Sequence, residues 1–232
     1  GYIYQKTLDV IVGETSILLA DDFENEMGWL VGAPDDNANS GIWERGIPNG
    51  TTIDGQQLQP GEDHSEDGSL CFVTGNGTGP GPGYDDIDGG KTTLISPTFN
   101  LIDYEIALVS YWRWYTNNLG DSPDEDFWRV EVSHNGGINW FTLENTYISN
   151  NNWEYHQFNL NEVLPILTNE VVFRFIGEDI PPGSLVEAAL DDFKIEVILD
   201  TSIFGDINND GSVDVLDIVR MVNIIVGNNP PP

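Results

Sequence analysis

The 232 residues are 39% hydrophobic and 11% aromatic, with seven Trp, which is too much apolar surface for a disordered tail and enough for one large domain with a small appendage. Lys and Arg number 8 against 39 Asp and Glu, and a net charge of −31 argues by repulsion against nucleic acid or an anionic membrane surface as a partner. No apolar stretch approaches the roughly 20 residues of a spanning helix, so membrane insertion is not expected.

The single Cys71 cannot form an intrachain disulfide. Calcium is the expected substitute, because carboxylates and amides are concentrated in short loops with Gly and Asn, and an extracellular location follows from millimolar calcium outside cells. The start Gly1-Tyr2-Ile3 has no charged or apolar leader, so a processed or excised piece is expected.

Residues 1–12 alternate as a strand, with Leu8, Val10 and Val12 on one face, and stop at Gly13-Glu14-Thr15. With no adjacent hairpin partner, this N-terminal segment (1–16) either extends the next sheet, resembles the last strand of an upstream immunoglobulin-like domain, or pairs with another chain. From Ile17 to Leu199, short Val, Ile, Phe, Tyr and Trp runs are separated by Gly, Pro, Asn and Asp without a helical period. An all-β sandwich over 17–200 is expected, with strands at 17–20, 69–74, 92–96, 105–116, 127–133, 139–144, 153–158, 170–176 and 186–198 and long loops at 32–68 and 75–90.

Within those strands, Arg113, Arg129 and Arg174 each sit between large apolar neighbours. Alternation that buries Trp112, Trp114, Trp128, Val130, Phe173 and Phe175 puts Tyr111, Arg113, Tyr115, Phe127, Arg129 and Glu131 on an outer sheet face. Such a cationic, aromatic face would stack sugar rings or pair with acidic groups of a neighbouring copy, unless its Arg residues pair with local acids. The acidic loops holding Asp86 and Asp88 and holding Asp124 and Asp126 form a second cation site if they meet, and are solvated loops if they do not. Asn49-Gly50-Thr51 and Asn76-Gly77-Thr78 match the glycosylation acceptor pattern.

The segment 201–232 changes character. Oxygen side chains fall at loop positions 1, 3, 5, 9 and 12 (Asp206, Asn208, Asp210, Asp214, Asp217), with Gly211 at position 6 and the Ser212 carbonyl at position 7, before an apolar helical run ending at Gly227. With Asp at position 12 and Val213 at position 8, the loop resembles one dockerin type I repeat. The usual second repeat is missing, so Ile218, Val219, Val222, Ile224, Ile225 and Val226 need the sandwich, another copy or an absent repeat to cover them.

Asp22-Phe23-Glu24 with Gly28-Trp29, then Trp43-Glu44-Arg45-Gly46, Asp63-His64-Ser65, Leu94-Ile95-Ser96-Pro97, Ser110-Tyr111-Trp112, Phe127-Trp128-Arg129-Val130 and Ala189-Leu190-Asp191-Asp192-Phe193 follow in this order. Together they resemble the MAM domain, a jelly roll, in the disulfide-free form found in secreted bacterial proteins such as immune-inhibitor-A-type metallopeptidases. The resemblance implies that the first and last strands are neighbours, with a calcium site at Asp22, Glu24, Asp192 and Asp63; the alternative is that these acids are exposed strand ends.

No HExxH or GxSxG pattern is present, His64, His134 and His156 are far apart in sequence, and no catalytic residue is assigned. The leading expectation is a non-catalytic, calcium-stabilised extracellular module that joins copies of itself or adjacent domains head to tail, as in a fibre or surface layer, through its N-terminal strand and C-terminal loop–helix. The alternative is a carbohydrate-binding or targeting module cut from a secreted hydrolase, with a glycan as partner.

Overall fold

The computed structural model describes residues 15–77, 79, 81, 83–199, 207–208 and 210–226, and the chain divides into two compact units, Gly1–Ile198 and Leu199–Pro232. Apart from a 3-10 turn at Leu160–Glu162, the regular structure described in the first is all strand: β1 (Ser16–Asp21), β2 (Leu30–Val31), β3 (Trp43–Gly46), β4 (Thr51–Ile53), β5 (Gln56–Gln59), β6 (Cys71–Thr74), β7 (Gly90–Ile95), β8 (Tyr104–Thr116), β9 (Trp128–Ser133), β10 (Phe141–Thr146), β11 (Asn150–Asn159), β12 (Val172–Asp179) and β13 (Glu187–Leu199), whose last residue falls at the boundary between the units. One sheet runs β11-β8-β13-β6-β3, with β1 also on β13, a second runs β10-β9-β12-β7-β2, and β4 and β5 pair as a separate two-stranded ribbon. This is the expected sandwich, with first and last strands antiparallel neighbours, Asp21 opposite Phe193 and Ala20 opposite Lys194. Each of the nine expected strands is present; β2 lies between the first two of them, and β3, β4 and β5 lie inside the expected 32–68 loop.

The two inner faces meet in a core that includes Phe23, Trp29, Trp43, Phe72, Tyr111, Tyr115, Trp128, Phe173, Phe175 and Phe193. Trp29 anchors one part of it, edge-on to Phe23 (centroids 5.2 Å apart) and to Phe193 (5.2 Å), while its Nε1 donates to Asp21 Oδ2 at 2.8 Å. Burial of that carboxylate raises its pKa above the ordinary aspartate value.

Alternation along β8 is the reverse of the sequence expectation. Ala107, Val109, Tyr111, Arg113 and Tyr115 share one face, and Tyr111 and Tyr115 are fully buried in the core with Arg113 only 4% exposed. Trp112 and Trp114 point to the other face of the sheet, where Trp114 packs with Cys71, Val73, Ala189 and Trp153. The aliphatic start of β8 fixes this register, and a buried anion makes it tolerable for Arg113. Glu144 of β10, in the opposite sheet, takes Arg113 at 3.0 Å on Oε1, and its Oε2 accepts from Tyr111 Oη at 2.8 Å and Trp128 Nε1 at 3.0 Å. Glu154 (3.2 Å) and His156 Nε2 (3.2 Å) complete the Arg113 surroundings. Trp128, Val130, Phe173 and Phe175 face inward as expected.

In the second unit, α1 (Val215–Ile225) starts at Asp214, whose carboxylate accepts from Leu216 N at 2.7 Å while Asp217 reaches back to Asp214 N at 2.8 Å, a reciprocal capping box.

Two predictions follow from the Arg113 cluster. Replacing Glu144 by Gln leaves a buried guanidinium short of its main counter-charge, and the denaturant midpoint should fall by the equivalent of about 3 kcal/mol with an unchanged m-value. Burial, then the Arg113 charge, hold His156 below its ordinary pKa of 6.5 despite Glu144 and Glu154, so the folded state keeps it neutral where the unfolded state protonates. This contribution is fully present above pH 6.5 and is lost as pH falls; stability of H156Q should therefore decline less than wild type in urea titrations on the acid side of 6.5. Parallel decline in both proteins would refute it.

Candidate functional site

Because Trp112 faces outward, the outer face of the larger sheet carries an aromatic groove. Antiparallel pairing puts Tyr155 of β11 directly beside Trp112 of β8, with ring centroids 5.6 Å apart. A cavity of 420 Å³ is lined by these two rings and by Ala20, Asp22, Ser110, Asp192 and Lys194. His64 lies flat on Trp112 at 3.7 Å and 18°, fixing the indole from the 60–69 loop. Beyond His64, Trp114 and Trp153 line a further hollow with Gln57, Pro60, Glu62 and Asp63. The polar groups around Trp112 include the Asp22 and Asp192 carboxylates, the Lys194 ammonium and the hydroxyls of Ser110 and Tyr155, a set that exchanges hydrogen bonds with sugar hydroxyls while the rings take a pyranose face. Asp21 also lines the cavity, with its carboxylate turned to Trp29.

The loop over this groove is held by an acid pair. Asp192 has a positive φ of 48°, so β13 bulges and Asp191 and Asp192 both turn away from the core that Leu190 and Phe193 fill. Asp191 Oδ2 accepts from His64 N (2.7 Å) and Ser65 N (3.2 Å), and Asp192 Oδ2 meets His64 Nδ1 at 2.6 Å while Oδ1 accepts from Ser65 Oγ at 3.0 Å. Burial is the main reason that Asp191 is pushed up to about 7. Glu24 Oε1 accepts from Ser69 N and Leu70 N, both at 2.6 Å, which draws its pKa below the ordinary value. Asp63 lies against Glu24, as Gly68 shows: a Cβ there would stand 2.5 Å from Asp63 Oδ2 and 3.0 Å from Glu24 Oε1. Burial and the Glu24 charge raise the Asp63 pKa, and Asp63 Oδ2 is buried without a donor. Thus Glu24, Asp63 and Asp192 of the expected calcium set are brought together with Asp191, whereas Asp22 is exposed and lines the groove.

Among the described residues, no three His, Cys, Asp or Glu side chains converge on one point as they stand. The oxygen set Glu24, Asp63 and Asp192 is nevertheless of the chemistry calcium takes, and the orphaned Asp63 oxygen is what such an ion would satisfy. The loop before α1 has the same chemistry. Gly211 has φ +86°, Asp217 Oδ1 accepts from Ile207 N (2.7 Å) and Asn208 N (3.1 Å), and Asp210 Oδ1 accepts from Ser212 N (3.0 Å), so the loop is already curled around its carboxylates. Asn208, Asp210, Ser212, Asp214 and Asp217 lie within it; Asp206 is outside the described residues.

The expected outer face of Tyr111, Arg113, Tyr115, Arg129 and Arg174 is corrected. Tyr111, Arg113 and Tyr115 are interior, while Arg129 and Arg174 lie on the other sheet, paired with Glu178 (3.9 Å) and Glu131 (2.6 Å), the latter Arg also 4.2 Å above Trp140. The residues missed are Trp112 and Tyr155; the signal for the first was the parity of Ala107 and Val109. Asp86 and Asp126 are buried near the β12–β13 turn, with Asp88 exposed beside Asp86, but Asp124 is exposed with φ +65° and is not among them. Both sequon amides are spent on backbone, Asn49 Nδ2 on Gly77 O (3.2 Å) and Asn76 Nδ2 on Ile47 O (2.8 Å). Residues 1–14, including the expected 1–12 strand, lie outside the described residues.

Among the described residues, no helix is long and apolar enough to cross a membrane. No protein-family model and no curated protein matches the chain. Among solved structures, the K1 cleaved adhesin domain of Lys-gingipain from Porphyromonas gingivalis is similar over 81% of this chain and 99% of that one, at 16% identity and TM-score 0.49. The xylan-binding domain of a Paenibacillus barcinonensis protein is similar over 82% and 99%, at 13% identity and 0.40. A carbohydrate-binding module in complex with β-1,4-galactotriose is similar over 75% and 89%, at 11% identity and 0.43. At these identities and scores the likenesses carry no argument about the site.

Proposed function

We propose that the chain is a non-catalytic, extracellular carbohydrate-binding module whose ligand lies on the outer face of the β11-β8-β13-β1 region, stacked on Trp112 and Tyr155. The observation that carries this reading is the pairing of those two rings on an open sheet face, ringed by Asp22, Asp192, Lys194 and Ser110. Asp21, Asp22 and Asp192 against a Lys194 that is itself paired with Glu196 at 3.2 Å, on a chain of net charge −31, favour neutral sugars over uronic or sulfated ones. Calcium at Glu24, Asp63 and Asp192, and in the loop that ends at Asp217, would order the groove-side loop and, within the second unit, the loop before α1. Self-association through the N-terminal strand and the C-terminal loop–helix was the leading expectation from sequence. Its strand, residues 1–12, lies outside the described residues, and the binding reading is preferred because its site can be built from described side chains.

On a glycan array, the wild-type chain should retain a neutral polysaccharide or oligosaccharide. W112A and Y155A should each weaken that retention at least about tenfold, equivalent to 1.4 kcal/mol, with the melting temperature nearly unchanged. R129A, on the other sheet, should bind as wild type. Wild-type protein that retains no neutral glycan, or W112A that retains it undiminished, would sink the proposal.

A further inference from the structure

A second group of acids surrounds the turn between β12 and β13. Ile87 N donates to Val186 O at 3.0 Å, Leu185 N to Leu119 O at 2.8 Å and Asp121 N to Gly183 O at 3.1 Å, so the segments 84–88 and 117–126 are both sewn to this turn. The two acidic loops therefore border the same turn, and between them lies a carboxylate that the sequence did not single out. Asp179 is 1% exposed, with Oδ1 accepting from Ser184 N (2.8 Å) and Oδ2 from Gly89 N (3.1 Å). Space beside Gly183 is bounded by Asp179 and by the first of these loops, since a Cβ there would stand 3.4 Å from Asp179 Oδ2 and 3.8 Å from Asp88 Oδ1.

Asp86 and Asp126 are 2% and 0% exposed, and each keeps one oxygen, Asp86 Oδ1 and Asp126 Oδ2, buried with no donor. The other Asp126 oxygen accepts from Ile180 N at 2.7 Å, and the neighbouring Ser184 hydroxyl is turned to Ser122 O at 2.6 Å. Asn117 Oδ1 is likewise orphaned, although its Nδ2 donates to Asp126 O at 2.8 Å. Burial, then Asp88 and Asp179, push Asp86 up to about 7, and Asp179 acts on Asp126 in the same direction. Buried carboxylate oxygens in this position need a proton, a water or a cation. Two facts favour the cation: the orphans belong to two different segments held to one turn, and every candidate donor is a hard oxygen.

We propose that Asp86, Asp126 and Asp179 form a calcium site at the β12–β13 turn, with Asp88 on its solvent side. Calcium rather than magnesium is assigned because the carboxylates are buried, which demands a cation that sheds its water readily and accepts irregular oxygen geometry. The carboxylates do not yet close on one point, so binding draws the 84–88 and 117–126 segments in toward Asp179. The site is independent of the sugar groove.

The test is calcium titration of the full chain by calorimetry, with melting curves in calcium and in chelator, for wild type and for D86N/D126N. The other two oxygen sets are intact in both proteins, so the difference isolates this one. The double variant should bind one equivalent less and gain less melting temperature from calcium. In chelator it should melt above wild type, because two buried uncompensated charges are gone. Equal stoichiometry and equal calcium gain would overturn the proposal, as would wild type that takes up no calcium. Should the double variant not fold, D88N, at an exposed position, should lower the affinity of one equivalent about tenfold; an unaltered titration curve would then overturn it.

Discussion

The ion pair between Arg113 and Glu144 joins the two sheets, and the rest of the first unit is arranged around it. A buried guanidinium is tolerable only beside an anion, and Glu144 also takes the Tyr111 hydroxyl and the Trp128 indole, so both sheets are tied to one carboxylate. Once Arg113 points inward, alternation leaves no freedom: Tyr111 and Tyr115 follow it into the core, and Trp112 and Trp114 go outward. The aromatic groove is therefore the other side of a decision taken in the core. A sheet with apolar rings on both faces needs cover on the second, and the 58–69 segment supplies it, with Leu58 O accepting from Trp114 Nε1 at 2.6 Å.

This explains what the sequence could and could not show. Apolar runs bounded by Gly, Pro and Asn mark strands because burial and turn chemistry are local, and all nine expected strands exist. The short strands Thr51–Ile53 and Gln56–Gln59 escaped because they are polar and gain their order from one another and from side chains distant in sequence, such as Asn118, whose Oδ1 accepts from Gln56 Nε2 at 2.7 Å. In Tyr111-Trp112-Arg113-Trp114-Tyr115 both parities offer aromatics to a core, so local chemistry favours exposing the charge. The parity of Ala107 and Val109 points the other way, but the partner that makes a buried Arg113 tolerable, Glu144, is on a strand of the other sheet and does not show beside Arg113 in the sequence.

The acids divide in a way that composition conceals. Asp179, Asp191 and Asp217 are buried and each accepts two or more backbone N–H groups, so their charge organises loops. Asp63, Asp86 and Asp126 each keep an oxygen that no donor reaches. Both kinds read alike as Asp in an acidic loop. What separates them is the backbone that arrives from elsewhere, such as Ser184 N at Asp179, and that arrival is a property of topology.

The groove and the Glu24–Asp63 acid cluster are coupled through one residue. His64 donates its backbone N–H to Asp191, meets Asp192 with its ring nitrogen and lays that ring on Trp112. The β13 bulge at Asp192 is what turns both carboxylates toward it. Any force that positions the 61–69 loop, whether hydrogen bonds to Glu24 or an ion joining Glu24 to Asp63, thus reaches the indole through a single imidazole. In the proposed reading, calcium would act on sugar binding without touching the sugar, because the rigidity of Trp112 depends on a loop whose acids repel one another until a cation is shared between them.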